Sequence, residues 1–94
     1  MLDKVIERRN NIYKLAADNM IDKVFVFGSC ARKEDREDSD IDFLIDPLPG
    51  STMLNQVHMR NALTSLFGRK VDVVSRRGLS PYLREVILNE AVPV

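Results

Sequence analysis

The sequence predicts one α/β (α+β) domain, 1–94, in which helices pack on a small β-sheet. Three observations support this fold class. Helical and strand-like segments alternate along the chain, as they do when helices cover a sheet. The strand-like segments are short and rich in β-branched and aromatic residues. The chain has 94 residues, 45% of them hydrophobic and 30% charged, a balance typical of a globular domain with one core.

The first half of the chain carries two predicted helical segments and two predicted strands. Apolar residues recur at helical spacing over 2–20. The Val-Phe-Val-Phe run within 23–28 is typical of a buried strand that ends in glycine. Residues 29–39 begin with serine and then become heavily charged, which predicts a short helical turn followed by an exposed loop. Residues 40–46 alternate in polarity and predict the second strand.

The second half predicts a crossover helix, a third strand and a last helix. Ser51 is the predicted N-cap of the crossover helix, and Gly68 its C-terminal cap. Residues 70–75 predict the third strand, which can lie beside the second because the crossover helix is long enough. Ser80 and the proline after it predict the start of the last helix. Its predicted apolar stripe consists of Leu83, Val86 and Ile87. Pro93 is expected to end regular structure.

Composition excludes several classes of partner and compartment. Lys plus Arg and Asp plus Glu number 14 each, so the formal net charge of zero gives no electrostatic reason to expect duplex nucleic acid. A small domain without net charge has little repulsion to oppose self-association, so a homo-oligomer is an open expectation. A single cysteine, the absence of a signal-peptide pattern and the absence of a long apolar run predict a cytoplasmic protein without a membrane segment.

Asp40 and Asp42 are the strongest candidates for chemistry. On a strand their side chains share one face, where two nearby carboxylates repel and tend to take up a proton or a cation. Mg²⁺ and Mn²⁺ take oxygen ligands and leave positions open for phosphates. Asp72 joins them if the second and third strands are neighbours, and three carboxylates can hold two ions. Taken alone, Asp-x-Asp is better explained by a solvated strand face.

The Gly28-Ser29 turn is the second candidate. Glycine at the end of an apolar strand lets the backbone approach a ligand, and Ser29 can cap the short helix or offer its hydroxyl and N–H to phosphate. An ordinary strand-to-helix turn explains the same pair. A Walker loop and a nucleophile elbow are excluded because their signatures are absent. A calcium loop over 38–49 is excluded because its sixth and last positions hold Phe and Pro.

Together these motifs resemble the minimal nucleotidyltransferases of the DNA polymerase β-like superfamily, over nearly the whole chain. The segments that carry the resemblance are Gly28-Ser29-Cys30-Ala31-Arg32, Ser39-Asp40-Ile41-Asp42-Phe43-Leu44-Ile45, Val71-Asp72-Val73-Val74, Pro81-Tyr82-Leu83-Arg84-Glu85 and Glu90-Ala91-Val92. One position departs from the pattern. Lys33 stands where such proteins usually have glycine after the Ala-Arg pair, and lysine resists the backbone conformation that glycine permits.

The resemblance implies a nucleotidyltransferase fold, with a small mixed β-sheet packed with helices. It also implies two magnesium ions (or manganese) and a nucleoside triphosphate donor, often ATP. Asp40, Asp42 and Asp72 match the family's metal-binding acids, and Asp72 would also help to deprotonate the acceptor hydroxyl. The positions that match its nucleotide-binding residues are Gly28, Ser29, Arg32 and Ser39.

Small members of this family resemble the antitoxin half of type VII toxin–antitoxin modules, whose partner is an all-helical HEPN toxin. The resemblance implies that AMP transfer to a tyrosine of that partner silences it. The alternative is a non-catalytic binding module that neutralises a toxin by forming a complex. The sequence does not determine the base preference, the acceptor residue or the number of nucleotides added.

Overall fold

The computed structural model describes residues 1–94 and contains five α-helices and a four-stranded sheet. The helices are α1 Leu2–Glu7, α2 Arg9–Asp18, α3 Gly28–Ala31, α4 Met53–Phe67 and α5 Pro81–Glu90. The strands are β1 Ile21–Phe27, β2 Ile41–Pro47, β3 Val71–Ser75 and β4 Val92–Pro93. A short 3-10 turn, Arg76–Gly78, follows β3. None of the helices has the length and apolar character needed to cross a membrane.

The sheet is mixed, as the family resemblance implied, with strand order β3-β2-β1-β4. Strand β1 is antiparallel to both β2 and β4, whereas β2 and β3 are parallel and joined by α4. The parallel register pairs Ile41 with Val71 and Asp42 with Asp72. The end of β1 and the starts of β2, β3 and β4 therefore lie at one edge of the sheet, which we call the acid edge.

The core lies between one face of the sheet and helices α1, α2 and α4. Its fully buried side chains include Val5, Ile12, Val26, Phe43 and Leu63, from five different elements. Phe43 also stacks on Phe67 of α4, with ring centroids 6.1 Å apart. This packing fixes β2 between α4 and β1 and so fixes where its aspartates emerge.

The first predicted helix is wrong in one respect, because two helices replace the single helix over 2–20. Arg8 leaves the helical conformation, with φ −98° and ψ 16°, and separates α1 from α2. At the break Arg8 N–H donates to the carbonyl of Val5, three residues back, at 3.1 Å, so the last turn of α1 tightens and ends there. Val5 and Ile12, on either side of the break, are both fully buried in the core.

The helix ends follow the predicted rules, with one shift at α4. Its N-cap is Thr52 instead of Ser51, because Thr52 and Asn55 form a capping box. Gly68 ends α4 in the left-handed conformation, with φ +62°. Ser80 accepts a hydrogen bond from Leu83 N–H, and Pro81 occupies the first turn of α5.

The C-terminal region differs most from the prediction. Pro93 was expected to end regular structure, yet Val92–Pro93 forms β4 beside Phe25 and Val26 of β1. Proline is tolerated there because β4 is an edge strand. The predicted apolar stripe of α5 does not enter the core: Leu83 is 50% and Val86 53% exposed, and α5 buries no residue.

Candidate active site

Parallel pairing of β2 with β3 brings two of the predicted acids together. Asp42 and Asp72 are Cα partners in the ladder, and neighbouring strands lie about 4.8 Å apart, so their side chains are neighbours on one face. Asp42 is half-buried and Asp72 is exposed. The prediction that these strands neighbour each other is therefore confirmed, and the acid edge carries two adjacent carboxylates.

The Gly28 turn lies directly against Asp42. Phe27 is the cross-strand partner of Asp42, so the next residue, Gly28, turns across its side chain. Gly28 has φ +72°, and a Cβ atom there would lie 2.5 Å from Oδ2 of Asp42. No residue with a side chain fits this place without displacing the carboxylate, so the close approach requires glycine.

Asp40 lies just before β2 and has a different partner. Its Oδ2 is 3.5 Å from Nζ of Lys70, the residue that precedes β3. The ion pair is exposed on the Lys70 side, where 80% of the side chain is accessible, so it contributes little to stability. Asp40 therefore stands at the acid edge but is directed towards a lysine.

The surroundings of Asp42 at the acid edge raise the pKa of its carboxyl. Burial, followed by the charges of Asp72, Asp40 and Glu90, raises the pKa of the Asp42 carboxyl above its ordinary value, and Arg32 offsets only part of this. A carboxyl in this situation is stabilised by a proton or by a cation.

The donor set fits a divalent cation, although the side chains are not yet gathered around one. Carboxylate oxygens are the ligands that Mg²⁺ prefers, and Asp40, Asp42 and Asp72 all offer them at one edge. No three acidic, histidine or cysteine side chains are arranged so that they could hold an ion as they stand. Joint coordination by the three aspartates would require Asp40 to turn away from Lys70.

Arg32 lies beside the turn and is held by two carboxylates. Its Nη1 donates to Glu90 at 2.7 Å and its Nε donates to Glu34 at 3.2 Å. These hydrogen bonds, first the one that Glu90 accepts and then the one that Glu34 accepts, raise the pKa of the Arg32 guanidinium. Glu90 also accepts the backbone N–H of Gly28 at 2.9 Å. The sequence did not single out Glu90 as a site residue, because its partners lie about sixty positions away along the chain.

The two serines have different surroundings from those expected. Ser29 lies inside α3 and does not cap it, since the N-cap is Phe27. Its side chain makes no hydrogen bond to the protein, whereas its carbonyl accepts the N–H of Glu34. The hydroxyl of Ser39 accepts the N–H of Arg36, so it closes a turn in the loop before β2.

Arg69 holds that loop from the other side. Its guanidinium donates to the carbonyl oxygens of Ser39 and Arg36 and to Oδ2 of Asp35, and its side chain is only 17% exposed. Since Arg69 immediately follows the C-cap of α4, it ties the start of β2 to the crossover helix. Sequence analysis missed it because a basic residue after a helix usually indicates only an exposed turn.

Lys33 adopts the conformation that glycine would favour. Its φ is +59°, in the left-handed region, and its N–H donates to the carbonyl of Cys30 at 3.2 Å. Lys33 therefore takes up the left-handed conformation at this position, and the strain is borne by its own backbone.

The chain belongs to the polymerase β nucleotidyltransferase family, whose model, "Polymerase beta, Nucleotidyltransferase", matches residues 10–94. It is 35% identical over 88 residues to "Putative protein adenylyltransferase MJ0435" of Methanocaldococcus jannaschii, covering 94% of this chain and 95% of that protein. It is also 35% identical over 72 residues to "Protein adenylyltransferase MntA" of Thermococcus cleftensis, covering 77% and 73% of the two chains.

Solved structures show the same fold. A "putative minimal nucleotidyltransferase" superposes with a TM-score of 0.89 at 45% identity, covering 99% of this chain and 95% of the other. One chain of a structure described as a tri-AMPylated Shewanella oneidensis HEPN toxin in complex with an MNT antitoxin matches with a TM-score of 0.70 at 22% identity, covering 99% of this chain and 71% of that chain. The second likeness concerns the fold alone.

These findings define the class of protein. The fold is that of a nucleotidyltransferase, and the protein is an enzyme of that family, similar to protein adenylyltransferases.

Proposed function

We propose that this protein is a cytoplasmic, divalent-metal-dependent adenylyltransferase. It transfers AMP from ATP to a hydroxyl of a partner protein, a tyrosine of a HEPN-type toxin: the hydroxyl oxygen bonds to the α-phosphorus and pyrophosphate leaves. By this transfer it acts as the antitoxin of that toxin. The observation that carries the proposal is the contact between the left-handed Gly28 turn and Asp42, which itself pairs with Asp72 across β2 and β3. A turn suited to phosphate and paired carboxylates thus share one edge.

Each site residue has a role in this proposal. Asp40, Asp42 and Asp72 would hold magnesium or manganese, which would supply positive charge against the triphosphate. Gly28 lets the backbone approach the phosphates, and the hydroxyl of Ser29 is free to donate to them. Arg32 offsets negative charge at the phosphates. In this chemistry the protein contributes mainly positioning and charge stabilisation.

Asp72 is suited to contact the acceptor. It is the exposed member of the Asp42–Asp72 pair, so a hydroxyl that arrives from outside the domain can reach it. Its carboxylate would orient the hydroxyl and take its proton. The acid edge is open at the surface, which suits an acceptor that belongs to another protein.

Two features support a protein acceptor over a small molecule. The named relatives are protein adenylyltransferases, and an MNT antitoxin of the same fold forms a complex with a tri-AMPylated HEPN toxin.

The test is the mass of a HEPN-type partner after incubation with this protein, ATP and Mg²⁺. We expect the partner to gain the mass of one or more AMP groups, located on tyrosine by fragmentation. The double variant Asp40→Asn with Asp42→Asn should abolish the gain. Asp38→Asn, which removes an exposed carboxylate of the preceding loop, is the matched control and should retain it.

The alternative, a non-catalytic binding module, predicts another pattern. Tight association without any mass change, together with full neutralisation by the double aspartate variant, would support that alternative and contradict the enzyme. A mass gain on a residue other than tyrosine would contradict only the acceptor assignment.

A further inference from the structure

Glu90 connects α5 to the Gly28 turn. It is the final residue of α5, and its carboxylate is only 25% exposed. One oxygen accepts the N–H of Gly28 and the other accepts Nη1 of Arg32. A single carboxylate thus contacts both the backbone and the side chain of the segment to which the proposed function assigns the phosphates.

The position of Glu90 is fixed by the backbone that follows it. Ala91 is extended, and Val92 pairs with Val26 one residue before the end of β1. Because β4 begins two residues after Glu90, its pairing with β1 holds the carboxylate at the acid edge. Since α5 buries no side chain completely, these contacts help to attach its C-terminal end to the sheet.

We propose that Glu90 is a positioning residue for the nucleotide. By accepting the Gly28 N–H it holds the left-handed turn in place, and by accepting Nη1 it fixes the Arg32 guanidinium beside the turn. The inference rests on the proposed function, in which the same turn and arginine contact the triphosphate. Ordering these groups before binding lowers the conformational entropy lost when the nucleotide arrives.

Arg32 keeps N–H donors that no protein group uses, so Glu90 can position it without competing with the nucleotide for every donor. A guanidinium has five N–H donors, of which Glu90 uses one on Nη1 and Glu34 uses Nε. The remaining donors of Arg32 can still reach phosphate. The Ser29 hydroxyl, next to the Gly28 N–H, is also free of protein partners. Glu90 therefore orients the turn without occupying all of its donors.

The test compares Glu90→Gln with Glu85→Gln. Glutamine at position 90 keeps the size of the side chain and can accept the Gly28 N–H, but it loses the charged bond to Arg32. Glu85 is exposed on the same helix, so its variant controls for the loss of one negative charge. In calorimetric titrations with ATP and Mg²⁺ we expect Glu90→Gln to weaken binding about ten-fold, with unchanged melting temperature, and Glu85→Gln to bind like wild type.

In the transfer assay the same variant should raise KM for ATP about ten-fold and change kcat less than two-fold. Tighter binding by Glu90→Gln would show that the carboxylate competes with the nucleotide and would overturn the inference. Equal binding by both variants would overturn it as well.

A measurement without nucleotide separates this inference from the proposed function. In ¹⁵N NMR spectra of the free protein, we expect Glu90→Ala to speed amide exchange at Gly28 and to increase the mobility of Arg32 Nε. If wild type binds no ATP, the proposed function fails, and these two signals still decide whether Glu90 orders the turn. Unchanged exchange and mobility would overturn the inference.

Discussion

The core and the acid edge are built from the same strands but follow opposite rules. In the core, Phe43, Val73 and their neighbours are buried apolar side chains whose packing stabilises the domain. At the acid edge, Asp42 and Asp72 occupy the intervening positions of the same strands, and their like charges oppose folding. Successive side chains of a strand point to opposite faces of the sheet. The apolar residues that stabilise the fold and the aspartates that destabilise it therefore lie on different faces. Substitutions should therefore lower stability in the core and raise it at the acid edge.

The largest expected effect is in the core. Leu63→Ala should lower the free energy of unfolding by about 2–5 kcal/mol, because it removes buried methyl groups and leaves a cavity. Urea unfolding measures the change. Leu54→Ala on the same helix is the control: this leucine is 61% exposed and should cost less than about 0.5 kcal/mol. Equal losses for the two variants would contradict the assignment of the α4 face that packs on the sheet.

A substitution that removes a charge at the acid edge should have the opposite effect and raise the stability of the fold. Asp42→Asn removes a carboxylate whose burial and acidic neighbours raise its pKa, so at pH 7 without metal we expect the melting temperature to rise by about 2–4 °C. The folded-state pKa lies above the unfolded value of about 3.9, so ionised Asp42 destabilises the fold at neutral pH. Below the unfolded value both states are protonated and the cost is absent.

The advantage of Asp42→Asn should therefore shrink as the pH falls through the folded-state pKa and vanish near the unfolded value. Melting curves from pH 7 to pH 4 measure this dependence, and Asp38→Asn, in the exposed loop, serves as the control. A pH-independent gain, or a loss at pH 7, would contradict the electrostatic account of the acid edge.

The smallest expected effect concerns two left-handed residues. Lys33, which follows the Gly28 turn, has φ +59°. Met20, which precedes β1, has φ +57°. Replacing either by glycine should relieve backbone strain and stabilise the fold by about 0.5–1 kcal/mol. Equal gains in melting temperature are expected, and ATP affinity should stay within two-fold. A large change in affinity for Lys33→Gly alone would show that its side chain contacts the nucleotide.

Local sequence patterns predicted most of the fold and part of the candidate site. Alternation over 40–46, the Gly68 cap and the Ser80 N-cap depend on neighbours within a few residues, and the structure has each of them. The pairing of Asp42 with Asp72 could be predicted because a long crossover helix favours parallel neighbours.

The features that were missed depend on distant partners. Strand β4 exists because Val92 reaches Val26, and nothing in the Val-Pro sequence itself indicates a strand. Glu90 gains its role from Gly28 and Arg32, across about sixty residues of chain. In each case a tertiary contact outweighs the local preference.

The central claim is that the acid edge binds a nucleotide through a metal held by aspartates. Calorimetric titration of wild type and Asp42→Asn with ATP, each with and without Mg²⁺, tests it most directly. We expect wild type to bind ATP only when Mg²⁺ is present, and Asp42→Asn to lose at least ten-fold in affinity while remaining folded. Equal affinity of the two proteins in the presence of Mg²⁺ would contradict the claim.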